Sequence, residues 1–511
     1  MQQQKKIKFI SVMLLVIGST IGSGIFFKNS TILSYTGSIL FSLLAWTITI
    51  FAIVCICLTL KEMVKKSSQE NNSLGNIGWI KSFCNTNLYL GFRNFMIYIY
   101  LPVNFFILSF YGIQSFLDSL TVFYGSEHPT IQWYYVILLA FISLIIFAFI
   151  PMHFSKYGIG QNNVLSLIKF FPLGFGVIAG FIIFITMRHG EVANNIISSS
   201  LPHPQDNVPF SLDGVSPFLG IIASIPAIFF VFDGFYTAGS LLNEMEKPEK
   251  FSSAITIGVL CIAGAYAIFS ISLLISSVGG SFFGLTDAMN KNKFTKVLSF
   301  IVLFCIALSC FGTINSWAIF IFAFFKEMLQ KKEIMFHNKI DFNSKFKVAL
   351  FTELIIIGSF ILFTLIGCFF FYNGPYAHTN YYDKTTTQIF NFCDLISNWT
   401  SLFIFIGLAI ALFGYLRNNK DSSNSFKIFA YIAIFFISLS TLYEVSNSFI
   451  QLISSIVFQI RHSNIGLDVY LMPGILKVIL LLAFFSVCFF TKGNKNENSN
   501  NLNTATSAKI I

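Results

Sequence analysis

Charge is what this 511-residue chain has least of: 11% of it is Asp, Glu, Lys or Arg, against about 25% in an ordinary soluble domain. A soluble chain of this length divides into domains with polar surfaces, and that class does not fit. The nine cysteines form no CxxC pair, which removes the usual zinc and redox spacings and leaves them as small buried apolar side chains. No GxxxxGK followed by Ser or Thr is present, so direct drive by ATP is not expected. The seven histidines fall in loops or at the edges of apolar blocks, and none forms an HxxxH pair. No nucleophile–base arrangement lies inside an apolar block. The chain is therefore not read as an enzyme, and no catalytic residue, metal or cofactor is expected.

What is present in excess is apolar sequence, at 55% of residues. It recurs in blocks of about 20, each long enough to cross a hydrocarbon core about 30 Å thick as a helix. Backbone groups in lipid must be hydrogen-bonded within their own segment, so helix is the only sensible reading. Twelve blocks are counted, at roughly 8–27, 37–60, 94–117, 131–151, 163–187, 217–242, 253–279, 296–328, 347–372, 395–416, 427–453 and 470–491. The first follows Lys5, Lys6 and Lys8 and lacks a small-residue cleavage site, so it reads as a span rather than a signal peptide.

An even number of spans puts both termini on one side. With the N-terminus inside, 23 of the 32 lysines and arginines fall on inner segments, the positive-inside pattern. The expectation is a multi-pass cell-membrane protein with both termini cytoplasmic and the lipid bilayer as partner. The net charge of +10 is then a matter of orientation, and no nucleic-acid partner is expected. The Asn- and Ser-rich segment 492–511 reads as a disordered cytoplasmic tail.

Two blocks are poor continuous helices. Residues Gly18 to Gly24 hold three glycines and two serines in seven positions, and each interior Gly costs about 1 kcal/mol against Ala. In lipid, irregular backbone is tolerated only where it lines a cavity. A broken helix here would aim the amides of the following half-helix at an anionic group. A smooth packing face of the GxxxG kind is the alternative reading of the same residues. The sixth block carries Asp233–Gly234 near its middle, with Pro226 before and Gly239 after. A carboxylate at that depth costs about 2.5–3.5 kcal/mol and faces a cavity or a partner. Interruptions in the first and sixth spans fit a five-plus-five inverted repeat, with the binding site where the two breaks meet.

At this point the sequence resembles a known family. GSTIGSGIF resembles the first-helix signature of the amino acid–polyamine–organocation superfamily of permeases. FFVFDGF followed by LLNEMEKPEK is similar to their sixth helix and its cytoplasmic exit, and LSCFGTINSW, Leu308 to Trp317, resembles the eighth helix of the L-type branch. The resemblance implies an all-α, leucine-transporter-like fold in one domain. Repeat one would be about 8–187, repeat two about 217–416, and extra helices about 427–491. It implies secondary transport of amino acids by proton symport or exchange. In the family, amides of the first break hold the substrate carboxylate, and those positions here are Gly22, Ser23 and Gly24. Carbonyls hold the ammonium, at positions matching Thr20 or Ile21 with Phe230, Val231 and Asp233, next to Gly234. Phe232 and Phe235 would be aromatic gates, or plain packing. A polyamine or other organocation carrier and a non-transporting amino acid sensor on the same fold are the alternatives.

Lys169, about six residues into the fifth span, is open to two readings: an ammonium snorkelling to the interface, or, by the resemblance, a coupling residue. Sodium-independent and proton-coupled relatives place a lysine where sodium-coupled ones bind a cation, against the first and eighth helices. Glu444 and Lys477 both lie roughly 11–13 Å from the outer ends of their spans at 1.5 Å per residue, a geometry suited to a structural ion pair. Glu353 is expected at the cytoplasmic interface. The loop after the second span keeps Glu62 and Gly78–Trp79 but lacks the relatives' proline, and Ala323 stands where the L-type branch has an arginine.

Overall fold

The computed structural model of this chain describes residues 9–69, 75–124, 130–188, 210–213, 215–236, 250–276, 278–289, 293–334, 340–369, 382–419, 421–461 and 467–489. Nearly all of them are helical. The helices are α1 (Phe9–Thr20), α2 (Gly24–Thr36), α3 (Ile39–Gln69) and α4 (Asn76–Phe83). Next come α5 (Thr86–Tyr124), α6 (Trp133–His153) and α7 (Lys156–Thr186). The second half holds α8 (Pro217–Val231), α9 (Phe251–Ser276), α10 (Phe282–Met289), α11 (Lys293–Gln330) and α12 (Lys345–Phe369). It closes with α13 (Lys384–Asn418), α14 (Asn424–Arg461) and α15 (Leu467–Phe489).

Among the described residues nine helices are long and apolar enough to cross a membrane: α3, α5, α6, α7, α9, α11, α12, α13 and α14. The shorter pieces fall where the first, sixth and twelfth spans are expected. The first is divided between α1 and α2, and the sixth is only 15 residues long as α8. The expected exit segment 241–249, the basic cluster Lys5, Lys6 and Lys8, and the tail 492–511 lie outside the described residues.

α5 is the axis of the bundle. The apolar stretch of α5 is 89% buried, against 33% for α14, because α11, α12, α13 and α6 all pack around α5. Bulky apolar side chains such as Leu354, Phe435 and Ile460 point outward from the peripheral helices, which suits a lipid-facing perimeter. The interior packs α2 against α8, α1 against α9, and α8 against both α3 and α13. The loop after α3 forms α4, whose Trp79 is buried and whose Asn76 donates to the Ile404 carbonyl of α13 at 3.2 Å.

Two helix starts differ from expectation. α5 begins at Thr86 rather than near 94, and α13 begins at Lys384 rather than near 395. Asp383 caps α13 by accepting from the Thr386 amide at 2.7 Å, so the helix starts in what reads as an outer loop. The stretch 210–213 is not a free loop edge. Asp213 accepts from the Tyr443 hydroxyl at 2.7 Å and from Asn447 Nδ2 at 2.9 Å, both on α14. Glu353, expected at the interface, is buried within 2.9 Å of His153 Nε2 on α6. Lys477 donates to Gln451 Oε1 at 2.9 Å and Glu444 accepts from Trp399 Nε1 at 3.3 Å; the two charges lie near each other and act on one another.

Candidate substrate site

α1 closes with the Ile21 amide on the Ile17 carbonyl at 2.9 Å, and α2 starts at Gly24. Ile21, Gly22 and Ser23 between them are not helical. α8 ends in the same region. The Phe232 amide reaches back to the Ile228 and Phe229 carbonyls, each at 3.2 Å, and the Asp233 amide reaches the Phe230 carbonyl at 3.2 Å. Gly234 then takes φ of 105°, in the region that side-chain-bearing residues avoid. The local sequence thus stops the helix there.

The two interruptions touch. A Cβ placed on Gly24 would stand 3.0 Å from Val231 Cα and 3.1 Å from Phe230 Cδ1. A side chain at 24 would require the end of α8 to give by a few tenths of an ångström. The Tyr266 hydroxyl of α9 donates to the Thr20 carbonyl at 3.0 Å and faces the Gly22 amide, so it clasps the first break from behind.

The Asp233 carboxylate is held by hydroxyls from three directions. It accepts from Tyr100 at 2.8 Å and from Ser401 at 2.9 Å, and also from Tyr236, whose hydroxyl lies 2.5 Å from that of Tyr100. Tyr100 closes a five-residue π-turn, Met96–Tyr100, within α5, the kind of local bulge that re-aims a side chain. Phe232 and Phe235 are fully buried against Trp46, Tyr266 and Phe405.

Lys169 sits at a kink within α7, its side chain buried, with Nζ 3.3 Å from the Gly18 carbonyl of α1. Its ammonium also neighbours Cys310 of α11. It does not reach an interface. Below it, Leu165 packs on Gly312, and Asn315 and Ser316 of α11 bond to Gln161 and Asn162.

The strongest polar feature of the region is absent from the sequence reading. Lys28, one helical turn beyond Gly24, donates to Asp394 Oδ1 of α13 at 2.5 Å, with side-chain exposures of 0% and 2%. Lys28 also donates to Ser397 Oγ at 2.7 Å, while Thr31 donates to Asp394 at 3.2 Å. Tyr111 lies within 3.4 Å of Asp394, stacks on Phe27 at 4.4 Å and meets Phe230 edge-on at 6.2 Å. Lys28 Nζ is 5.1 Å from the Phe230 ring centre. These groups roof the site on one side. On the other, Gly22 and Asp233 keep partial exposure.

A bundle with nine membrane-crossing helices among its described residues is a multi-pass membrane protein. The sequence profile described as amino acid permease matches residues 7–452, and the chain belongs to that family, within the amino acid–polyamine–organocation superfamily. An uncharacterised protein of Mycoplasma pneumoniae is 32% identical over 536 residues, covering 96% of this chain and 94% of its own. A second uncharacterised protein of that organism is 26% identical over 241 residues, 45% of this chain and 88% of its own. The crystal structure of a manganese transporter of Eremococcus coleocola aligns over 94% of both chains with a TM-score of 0.51 at 14% identity. That likeness is one of fold.

Proposed function

We propose that this chain is a secondary active amino acid transporter working by proton symport or exchange. Its twelve spans form a leucine-transporter-like five-plus-five inverted repeat, with both termini cytoplasmic. α1 and α2 together make the broken first span, and α8 is the first half of the broken sixth. The observation that carries the reading is the contact of Gly24 with Val231 and Phe230, which joins the two interruptions into one site. The Ser23 and Gly24 amides at the start of α2 bind the substrate carboxylate, as helix N-termini bind anions. Gly22 shares its amide with Tyr266. Carbonyls of Ile21, Phe230 and Val231 accept from the substrate ammonium. The fold-related manganese transporter supports the architecture and not the cargo.

Lys169 is the coupling residue. Its ammonium stands on the Gly18 carbonyl, in the place where a bound cation would steady the first break, so transport does not need sodium. Uptake by the purified protein in liposomes will be unchanged when sodium is replaced by choline; sodium-dependent uptake would remove this role. A counterflow panel of amino acids and polyamines tests the substrate class, and stabilisation or exchange by no α-amino acid would overturn the proposal.

Asp233 is a brace and not a cation receptor, because three hydroxyls already donate to it. Each such bond to a charged group contributes about 1.5–3 kcal/mol, and together they tie α8 to α5 and α13. Asp233→Asn will therefore slow leucine and lysine counterflow alike, by about ten-fold or more. Selective loss of lysine would instead favour the organocation alternative.

A further inference from the structure

Away from the substrate site, α4, α5, α13 and α15 line a narrow apolar crevice. Its walls include Ile80, Leu88, Phe92, Ile406, Ile410 and Phe485, and every lining residue is apolar. Leu88, Ile406, Ile410 and Phe485 are only half-buried, so the crevice is open to the protein surface. Arg93 lies seven residues before Tyr100, about 10 Å further along the helix toward the charged end of the bundle.

The rim of this crevice is basic. Lys81 follows Ile80, and Arg93 follows Phe92. They flank the Tyr89 ring, with Lys81 Nζ at 5.1 Å and Arg93 Cζ at 5.8 Å from its centre. Glu333 compensates only one of them, accepting from Lys81 at 3.2 Å and from the Tyr89 hydroxyl at 2.6 Å. Among the described residues Arg93 has no carboxylate at ion-pair distance. Its guanidinium is shared between Asn94 Oδ1, at 3.3 Å from Nη2, and the Tyr89 hydroxyl, and its Nε has no partner among the described residues. A guanidinium with spare donors beside an apolar slot in a membrane protein matches a phosphate attached to a hydrocarbon chain.

We infer that this crevice is a binding site for an anionic phospholipid, with one acyl chain in the slot and the headgroup phosphate on Arg93. The inference does not depend on the identity of the transported substrate. It commits to a lipid rather than a free anion because the lining beside the cations is wholly apolar, a surface that a free anion does not use.

The test uses the full chain in nanodiscs of equal phosphatidylglycerol and phosphatidylcholine, re-extracted in detergent, with retained lipid counted by mass spectrometry. The wild type will retain phosphatidylglycerol in excess. Arg93→Gln will cut that excess about five-fold, the effect of one cation at an anionic surface. Leu88→Trp, which fills the slot, will lose both lipids; Ile410→Trp fills it from α13 and serves if the first variant does not fold. Equal retention of the two lipids by the wild type would overturn the inference. So would undiminished phosphatidylglycerol in a folded slot-filled variant. A thermal shift from inorganic phosphate alone as large as that from phosphatidylglycerol would assign the rim to a free anion and remove the lipid.

Discussion

Asp394→Ala will destabilise this protein by about 3–5 kcal/mol, the usual effect of removing one member of a buried ion pair. The reason is what remains behind. Lys28 is fully enclosed, and among the described residues its ammonium has only Asp394, the Asp394 carbonyl at 3.1 Å and Ser397 as hydrogen-bond partners. Without the carboxylate the Lys28 amine is left in a dry interior with two neutral acceptors, an unfavourable place for it charged or neutral. Thr31 loses its acceptor as well, while Tyr111 keeps Ser397 at 3.2 Å. Removing both charges together behaves differently. Lys28→Met with Asp394→Leu leaves no orphaned charge, and an apolar replacement of a buried pair is often neutral or stabilising. The double variant will therefore recover most of the lost stability. Thermal melts of the three proteins in one detergent, followed by tryptophan fluorescence, check this. A single variant that melts within about 1 kcal/mol of wild type would show that the pair is solvated in the working protein.

The same pair shows why part of the site was legible in the sequence and part was not. Gly18 to Gly24 and Asp233–Gly234 announce themselves locally. Glycine density and a mid-block carboxylate are improbable in lipid unless the backbone is put to use, and no knowledge of neighbours is needed to see it. Lys28 and Asp394 do the opposite. Each looks like the end of an apolar block, because a charge ordinarily marks the water boundary. The first block is therefore drawn to end at 27 and the tenth to begin at 395. Both boundaries are displaced because each charge is neutralised by a residue 366 positions away, and periodicity cannot report a contact at that separation. The Asp233 cage is a mixed case. Its carboxylate is conspicuous, but Tyr100 and Ser401 are unremarkable on helices whose registers the sequence alone leaves open. The nine long helices were legible throughout, since length and apolarity decide them, whereas the start of α13 was set by Asp383, a capping residue inside an apparent loop.

Gly24→Ala will abolish transport, and its two neighbouring glycines provide the control. A methyl group at 24 meets the Val231 backbone at 3.0 Å and the Phe230 ring at 3.1 Å. The ring can turn aside, but a backbone atom moves only if α8 moves. Overpacking of this kind costs about 1–3 kcal/mol, which the bundle survives, yet the strain falls on the contact that closes the substrate site. A methyl at 22 would meet only Thr313 Oγ1 and the Thr20 carbonyl, each at 3.9 Å, an ordinary contact. At 18 it would meet nothing within 4 Å. Lys169 reaches position 18 through the backbone carbonyl, so Gly18→Ala keeps that bond and firms the end of α1 by about 1 kcal/mol. The expected order of counterflow activity is Gly18→Ala near wild type, Gly22→Ala intermediate, and Gly24→Ala at background with normal membrane levels of protein. A packing face of the GxxxG kind predicts another order, since all three glycines would then press on a neighbouring helix and lose stability together. Melting temperatures that fall equally for all three, with activity falling in step, would favour that face. Activity lost at 24 alone, in a protein that still folds, would place the function at the meeting of the two breaks.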